Sequence, residues 1–148
     1  MVKVKITFLV EKHIDHVFKL ISDIANYSRW VPEKSKLFIE NKITSEGPIG
    51  LGTTYFDRLK WFGKAIGEIV EFQPPFKIRF QQRTSFGFLA YNMSIEYTFK
   101  SIKDYTEVVH KVEVEPYWLI KMVEPIMSFT IRAERVRTCN AIKQVLEQ

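Results

Sequence analysis

The sequence has few residues that could stabilise a fold through disulfides or bound metal ions, so stability must come from packing. Cys139 is the single cysteine in 148 residues, which excludes an intrachain disulfide and a cysteine-rich zinc site. No stretch approaches the roughly 20 apolar residues that a membrane-spanning helix needs. The N-terminus alternates lysine with apolar residues, unlike the unbroken apolar core of a secretion signal. We therefore expect a cytoplasmic protein with no integral membrane segment.

Motifs for cofactor and metal chemistry are also missing. Gly50-Leu51-Gly52 lacks the third glycine and the following helix of a dinucleotide fingerprint, and no P-loop, GxSxG or HExxH string occurs. His13 and His16 are three residues apart, but two histidines without a third ligand do not make a zinc site. The sequence thus predicts no metal and no cofactor.

The net charge of +5 does not by itself indicate a nucleic-acid partner. The basic residues alternate with apolar ones or lie among glutamates, so no dense basic cluster forms. We expect a solvated basic surface and no nucleic-acid binding. The composition is 46% apolar and 26% charged, which together with the length predicts one globular domain over residues 1–148.

The apolar pattern changes period along the chain. Alternation over residues 2–10 predicts a first strand, and helical spacing then predicts two short helices, the second ending before Pro32. Turn-forming residues separate six further alternating segments. These predicted strands cover residues 37–43, 53–62, 64–72, 76–83, 91–99 and 106–114.

The segment 116–146 is long enough to form one long helix, whose main part we expect to begin near Glu124 because Pro125 fits a first helical turn. Apolar residues at helical spacing predict the face toward the sheet. This stripe is Trp118, Met122, Ile126, Phe129, Ala133 and Val136. Ile131, Ile142 and Val145 lie off the stripe, so they are expected to meet another element or a second subunit in a homodimer.

The order of elements predicts an α+β helix-grip fold. A curved seven-stranded antiparallel sheet wraps around the long C-terminal helix, and two short helices lie between strands one and two. The sheet has one apolar face to bury, and the last helix is the element able to cover it.

Several strings carry a resemblance over nearly the whole chain. They are Val17-Phe18, Asp23 with Tyr27, Trp30 and Pro32, Gly50-Leu51-Gly52-Thr53, Ile69-Val70-Glu71-Phe72 with Pro74-Pro75, and Ile142-Lys143. In this order they resemble the SRPBCC helix-grip superfamily, which includes polyketide cyclases and dehydratases, START-type lipid carriers and pollen-allergen-like proteins. The resemblance implies a cavity between sheet and helix for a lipid, polyketide, quinone or similar molecule. It implies no catalytic residue, because the superfamily shares no single catalytic motif.

Residues in inward phases are the candidates for lining that cavity. The expected lining is Trp30, Tyr55, Tyr91, Met93, Tyr97, His110, Met122, Ile126 and Phe129. Tyrosine hydroxyls would add polar handles to an apolar wall, although the same residues also suit simple core packing.

Two polar residues have alternative interpretations. His110 is either a proton exchanger near neutral pH or a core histidine bonded to a hydroxyl or a water. Asp57 points inward only if Tyr55, Leu59 and Trp61 do, and the apolar content leaves that phase open. An inward Asp57 would need a partner such as an arginine or His110, and would be a candidate acid or base.

Three functions are compatible with these residues. The first is binding or transport of a small hydrophobic ligand in the cavity. The second is a cyclase or dehydratase in which His110, with a tyrosine or Asp57, moves protons on a polyketide-like substrate. The third is a protein or membrane interaction module that uses the Gly-rich loop with Ile131, Ile142 and Val145.

Overall fold

The computed structural model describes residues 2–29, 38–60, 62–87, 89–116 and 124–148. Its elements in chain order are β1 Val2–Val10, α1 Ile14–Ser22, a 3₁₀ helix Ile24–Arg29, β2 Phe38–Ile43, β3 Thr54–Leu59, β4 Gly63–Gln73, β5 Lys77–Phe86, β6 Leu89–Ile102, β7 Tyr105–Pro116 and α2 Glu124–Leu146. The predicted α+β helix-grip class is confirmed, with two short helices after β1 and a long C-terminal helix.

The seven strands form one antiparallel sheet in the order β1-β7-β6-β5-β4-β3-β2. β2 to β7 follow one another as a meander, and β1 closes the sheet beside β7. The predicted alternation matches the burial, because side chains in one phase form a buried row across five neighbouring strands. This row is Val4, Val112, Ile95, Phe80 and Ile69. We call the buried side of the sheet the inner face.

Helix α1 packs against one end of the inner face. His13 caps the helix by accepting a hydrogen bond from the Asp15 amide at 3.3 Å. Its side chain is exposed. Phe18 meets the rings of Phe72 and Phe99 edge-on, with centroids 5.4 and 5.6 Å away. Helical spacing thus buries the apolar side of α1 on the sheet.

The start of α2 at Glu124 is confirmed, but the predicted inward stripe is wrong. Ile126 and Phe129 are 70% and 78% exposed, and Val136 is 41% exposed. The buried side instead carries Cys139, Ile142 and Leu146. Trp118 and Met122 lie outside the described residues.

The physical reason is that the C-terminal half of α2, which packs against β1 and α1, sets the phase of the helix. Ile142 is fully buried, and Ile131 and Val145 pack against the same core. Ile131, Ile142 and Val145 were predicted to meet another element or a second subunit, and they contact the core of the same chain. Ile126 and Phe129 have helical spacing too, but on the opposite side.

None of the helices in the described part of the chain is both long enough and apolar enough to cross a membrane.

The observed phase of α2 predicts unequal effects from one substitution made at two positions. Ile142→Ala should lower the free energy of unfolding by about 2–5 kcal/mol, because it opens a cavity in the core. Ile126→Ala is the matched control on the same helix, and we expect a change within about 0.5 kcal/mol since that side chain is mostly in solvent. Urea denaturation of both variants measures the difference; equal losses would contradict this phase.

Candidate functional site

The inner face has two polar regions separated by an apolar row. One region consists of two neighbouring rows. The first row is Asn41, Asp57, Ala65, Thr84 and Tyr91, and the second is Tyr55, Gly67, Gln82 and Met93. The other region is the Tyr97–His110 pair on β6 and β7. The row from Val4 to Ile69 runs between them, and successive rows are about 6.7 Å apart along a strand. Tyr97 and His110 are opposite each other in the β6–β7 pair, which confirms the prediction that they share one face of the sheet.

Tyr55 in the first region reaches across β4 to β5. Its hydroxyl donates to Gln82 Oε1 at 2.9 Å, and Gln82 Nε2 donates to Thr84 Oγ1 at 3.0 Å. Gly67 on β4 lies between Tyr55 and Gln82 in the register, and a Cβ at that position would overlap the Tyr55 ring. The close approach therefore explains why a glycine interrupts the apolar alternation of β4.

This close approach predicts that Gly67→Ala destabilises the protein by about 1–3 kcal/mol, because the tyrosine ring must move and its bond to Gln82 breaks. Gly50→Ala is the matched control, since a Cβ there meets Phe72 only at 3.9 Å. Chemical denaturation gives both values. In a double-mutant cycle with Tyr55→Leu, the cost of Gly67→Ala should shrink; additive effects would contradict the overlap.

Asp57 is buried on the inner face, which settles the phase that the sequence left open. Its partner is neither an arginine nor His110 but Asn41, whose Nδ2 donates to Asp57 Oδ1 across the β2–β3 pair. Burial raises the pKa of Asp57 to about 6, and the Asn41 hydrogen bond opposes that rise. Asn41 Oδ1 is buried without a hydrogen-bond partner among the described residues, so it can accept a hydrogen bond from the O–H of a neutral Asp57.

The raised pKa of Asp57 predicts a specific pH dependence of stability. The folded state holds this proton up to about pH 6, whereas the unfolded chain releases it near pH 4. The stabilising contribution of protonated Asp57 is therefore complete below about pH 4 and lost as the pH rises through 6. Asp57→Asn removes this loss, so its stability relative to the wild type should increase by about 2–3 kcal/mol from pH 4 to pH 7.

Denaturation at several pH values measures this change. Glu46→Gln, on an exposed loop, is the control, and it should show no comparable increase. A constant difference between Asp57→Asn and the wild type would disprove the raised pKa.

Tyr97 and His110 form the second polar region. Their rings stack with centroids 4.2 Å apart, and His110 is completely buried. Neither ring nitrogen of His110 makes a hydrogen bond of good geometry to the described ranges, although the Glu96 backbone lies close enough to favour the protonated ring. Burial, with the charge of Arg135, lowers the pKa of His110 to about 3. The imidazole is therefore neutral at pH 7, which argues against a proton exchanger near neutrality.

Arg135 is the residue that the sequence analysis missed. It is half-buried on the same side of α2 as Ile131, Cys139 and Ile142, to which it is related by steps of three or four residues. Burial raises the pKa of the Tyr55 and Tyr97 hydroxyls, and the Arg135 charge opposes both shifts.

Burial also raises the pKa of the Cys139 thiol to about 12, again against the charge of Arg135. The thiol is thus neutral and unsuited to nucleophilic attack. Arg135 shares the helical spacing of Ile131 and Ile142, so the sequence places it inside only once the phase of α2 is known.

The structure brings together five of the nine expected lining residues. Tyr55, Tyr91, Met93, Tyr97 and His110 lie on the inner face. Ile126 and Phe129 do not join them, because they are on the exposed side of α2. Trp30 and Met122 lie outside the described residues.

No family model and no curated protein matches the chain. Among solved structures, it is similar to a conserved protein from Geobacillus kaustophilus (TM-score 0.80, 12% identity, covering 98% of this chain and 95% of that one). It is also similar to protein CV1439 from Chromobacterium violaceum (TM-score 0.77, 15% identity, covering 99% and 97%). A third is DynU16, a protein in the dynemicin biosynthetic locus (TM-score 0.69, 14% identity, covering 99% and 47%). At these identities the similarity shows a shared fold.

Proposed function

We propose that this protein belongs to the SRPBCC superfamily and binds a small hydrophobic ligand, such as a lipid, polyketide or quinone, between the inner face and α2. The observation that carries the proposal is the buried His110 ring, which lacks a good hydrogen bond to the described part of the chain. His110 has two buried ring nitrogens without a hydrogen bond of good geometry to the described residues. A buried polar group left unpaired costs about 1–3 kcal/mol, so a bound molecule or water is expected there.

The surroundings of these groups fit a mainly apolar ligand. Met93, Ile95 and Phe80 are buried neighbours on the inner face. Binding sites for such ligands combine apolar walls with a few polar groups that fix the orientation of the ligand. The presence of the same fold in DynU16, from a biosynthetic locus, is compatible with a small-molecule ligand.

A cyclase or dehydratase is the second candidate, and Asp57 favours it. The pKa of this buried carboxyl lies at about 6, close to the value that suits proton transfer near neutral pH. His110, which the sequence placed in that role, is neutral there and could only donate or accept a hydrogen bond. In an enzyme of this type, Asp57→Asn would abolish turnover and leave binding of the substrate within about tenfold.

The ligand proposal predicts stabilisation by an apolar molecule. Freshly purified protein, analysed by native mass spectrometry, should carry a co-purified small molecule. After its removal, a screen of fatty acids, quinones and aromatic polyketides should raise the melting temperature by about 5–10 °C for a ligand at a hundred times its Kd. Absence of both a bound molecule and any shift across the screen would overturn the proposal.

A further inference from the structure

The turns of the sheet lie at two opposite ends of the molecule. Because β2 to β7 form a meander, the β3–β4 and β5–β6 turns are at one end, together with the last residues of β7. Gly63 is opposite Phe86 and Phe86 is opposite Leu89, so these two turns are neighbours. We call this the first end. The second end has the β4–β5 and β6–β7 turns and the end of β1.

The N-terminal half of α2 lies toward the first end. A hydrogen bond of 3.2 Å from the Glu11 amide to Glu147 holds the end of the helix beside the end of β1, at the second end. The helix packs against β1, and its 23 residues at 1.5 Å each extend about 34 Å, enough to follow the whole strand. Ile126 and Phe129 are therefore toward the first end.

Exposed apolar side chains collect at the first end. Phe62 in the β3–β4 turn is 99% exposed, beside the 70% and 78% of Ile126 and Phe129. Leu89, next to the β5–β6 turn, is 39% exposed. Phe62 also has a positive φ of 59°, which is unfavourable for a bulky residue and is usually taken by glycine in a turn. A ring so exposed adds no packing to the core, so these residues fit a contact outside the chain.

The first end is basic as well as apolar. Lys60 and Lys64 are exposed on either side of Phe62 in the chain. Arg132 is exposed on α2, one turn from the exposed phenylalanine of that helix. Glu115 at the end of β7 is also exposed, but the three cations outnumber it. Each exposed aromatic ring at this end thus has a cation close to it in the chain.

The second end differs in its charge. Leu51 and Phe76 are exposed there, at 72% and 61%. The turns around them mix both signs, with Lys103 beside Asp104 in the β6–β7 turn and Glu46 in the β2–β3 loop. Mixed charges do not attract an anionic surface, whereas clustered cations beside apolar side chains do. The charge therefore distinguishes the first end from the second.

We propose that the first end is a docking surface for an anionic lipid membrane. Its exposed apolar side chains enter the lipid interface, and its three cations face the headgroups. Apolar residues on separate elements with cations between them fit an extended surface of negative charge. The inference goes beyond the proposed ligand, because docking on a membrane requires no molecule in the interior.

The test measures binding of the full chain to lipid vesicles by co-sedimentation. Vesicles of phosphatidylcholine alone are compared with vesicles that contain about one third phosphatidylglycerol, at about 0.1 M and about 0.5 M NaCl. We expect binding to the anionic vesicles to be about tenfold tighter or more, because each cation contributes roughly a factor of five near such a surface. The higher salt should weaken this binding, since it screens the charges.

Substitutions of phenylalanine test the apolar contact. Phe62→Ser and Phe129→Ser should each weaken binding to anionic vesicles about tenfold or more, because each ring leaves water on docking. Phe76→Ser is the matched control, an exposed phenylalanine in a turn at the second end, and it should change binding less than about twofold. All three side chains are mostly in solvent, so the variants should fold, and urea denaturation checks this.

Substitutions of lysine test the charges. The double variant Lys60→Gln with Lys64→Gln should lose about tenfold or more in binding to anionic vesicles and leave binding to neutral vesicles unchanged. Lys100→Gln with Lys103→Gln removes the same net charge from the second end. This control should stay within about twofold of the wild type, because its charges lie beyond the screening length from the membrane.

Three results would overturn the proposal. The first is no binding of the wild type to anionic vesicles at low salt. The second is an equal loss in Phe62→Ser and Phe76→Ser, which would place the contact elsewhere. The third is a dimer that Phe62→Ser dissociates, without vesicle binding, which would assign the surface to a second copy of the chain. The ligand proposal is tested separately, since its screen uses no vesicles and can succeed or fail alone.

Discussion

The structure depends on the packing of the C-terminal half of α2 against β1 and the inner face of the sheet. Ile142 is fully buried there, and an ordered hydrogen bond from the Glu11 amide to Glu147 joins the end of β1 to the end of the helix. An antiparallel sheet with one apolar face needs such a cover, because exposing that face would forfeit the hydrophobic free energy of a whole row of side chains. Once Ile142 is inside, the helical period sets the direction of all the remaining side chains of α2. It turns Arg135 inward and Phe129 outward.

The polar interior follows from this arrangement. Alternation along the strands places Tyr55, Asp57, Tyr97 and His110 on the side that the helix covers. Some of these groups are satisfied within the sheet, as Tyr55 is by Gln82 and Asp57 by Asn41. The ring nitrogens of His110 have no such partner of good geometry in the described chain. A core that served stability alone would be expected to use apolar residues at these positions, since buried polar groups contribute only when they are paired. This contrast is the physical basis of the proposed ligand site.

The sites of the two polar regions also differ in how they hold protons. Asp57 lies where burial favours its neutral form at mildly acidic pH, whereas His110 is kept neutral down to about pH 3 by burial and the charge of Arg135. The two residues therefore change stability with pH in opposite directions. Burial disfavours the negative charge of Asp57 and the positive charge of His110. Of the two, only Asp57 has a pKa suited to exchanging a proton near neutral pH, so an enzymatic role for the inner face would depend on it.

The sequence by itself determined the elements and the phases of the strands with clean alternation, among them β1, β6 and β7. Period-two alternation fixes which side of a strand is buried, so Tyr97 and His110 could be placed on the inner face from their neighbours alone. It did not determine the phase of α2, because Ile126-Phe129 and Ile131-Ile142 both have helical spacing and nothing local distinguishes them. Nor did it determine the direction of Asp57, since both phases of β3 mix aromatic and charged residues. Only the tertiary structure decided these points. The phase of α2 depends on which half of the helix reaches β1, and the direction of Asp57 depends on the β2 neighbour that offers it a hydrogen bond. Both are contacts between residues far apart in the chain.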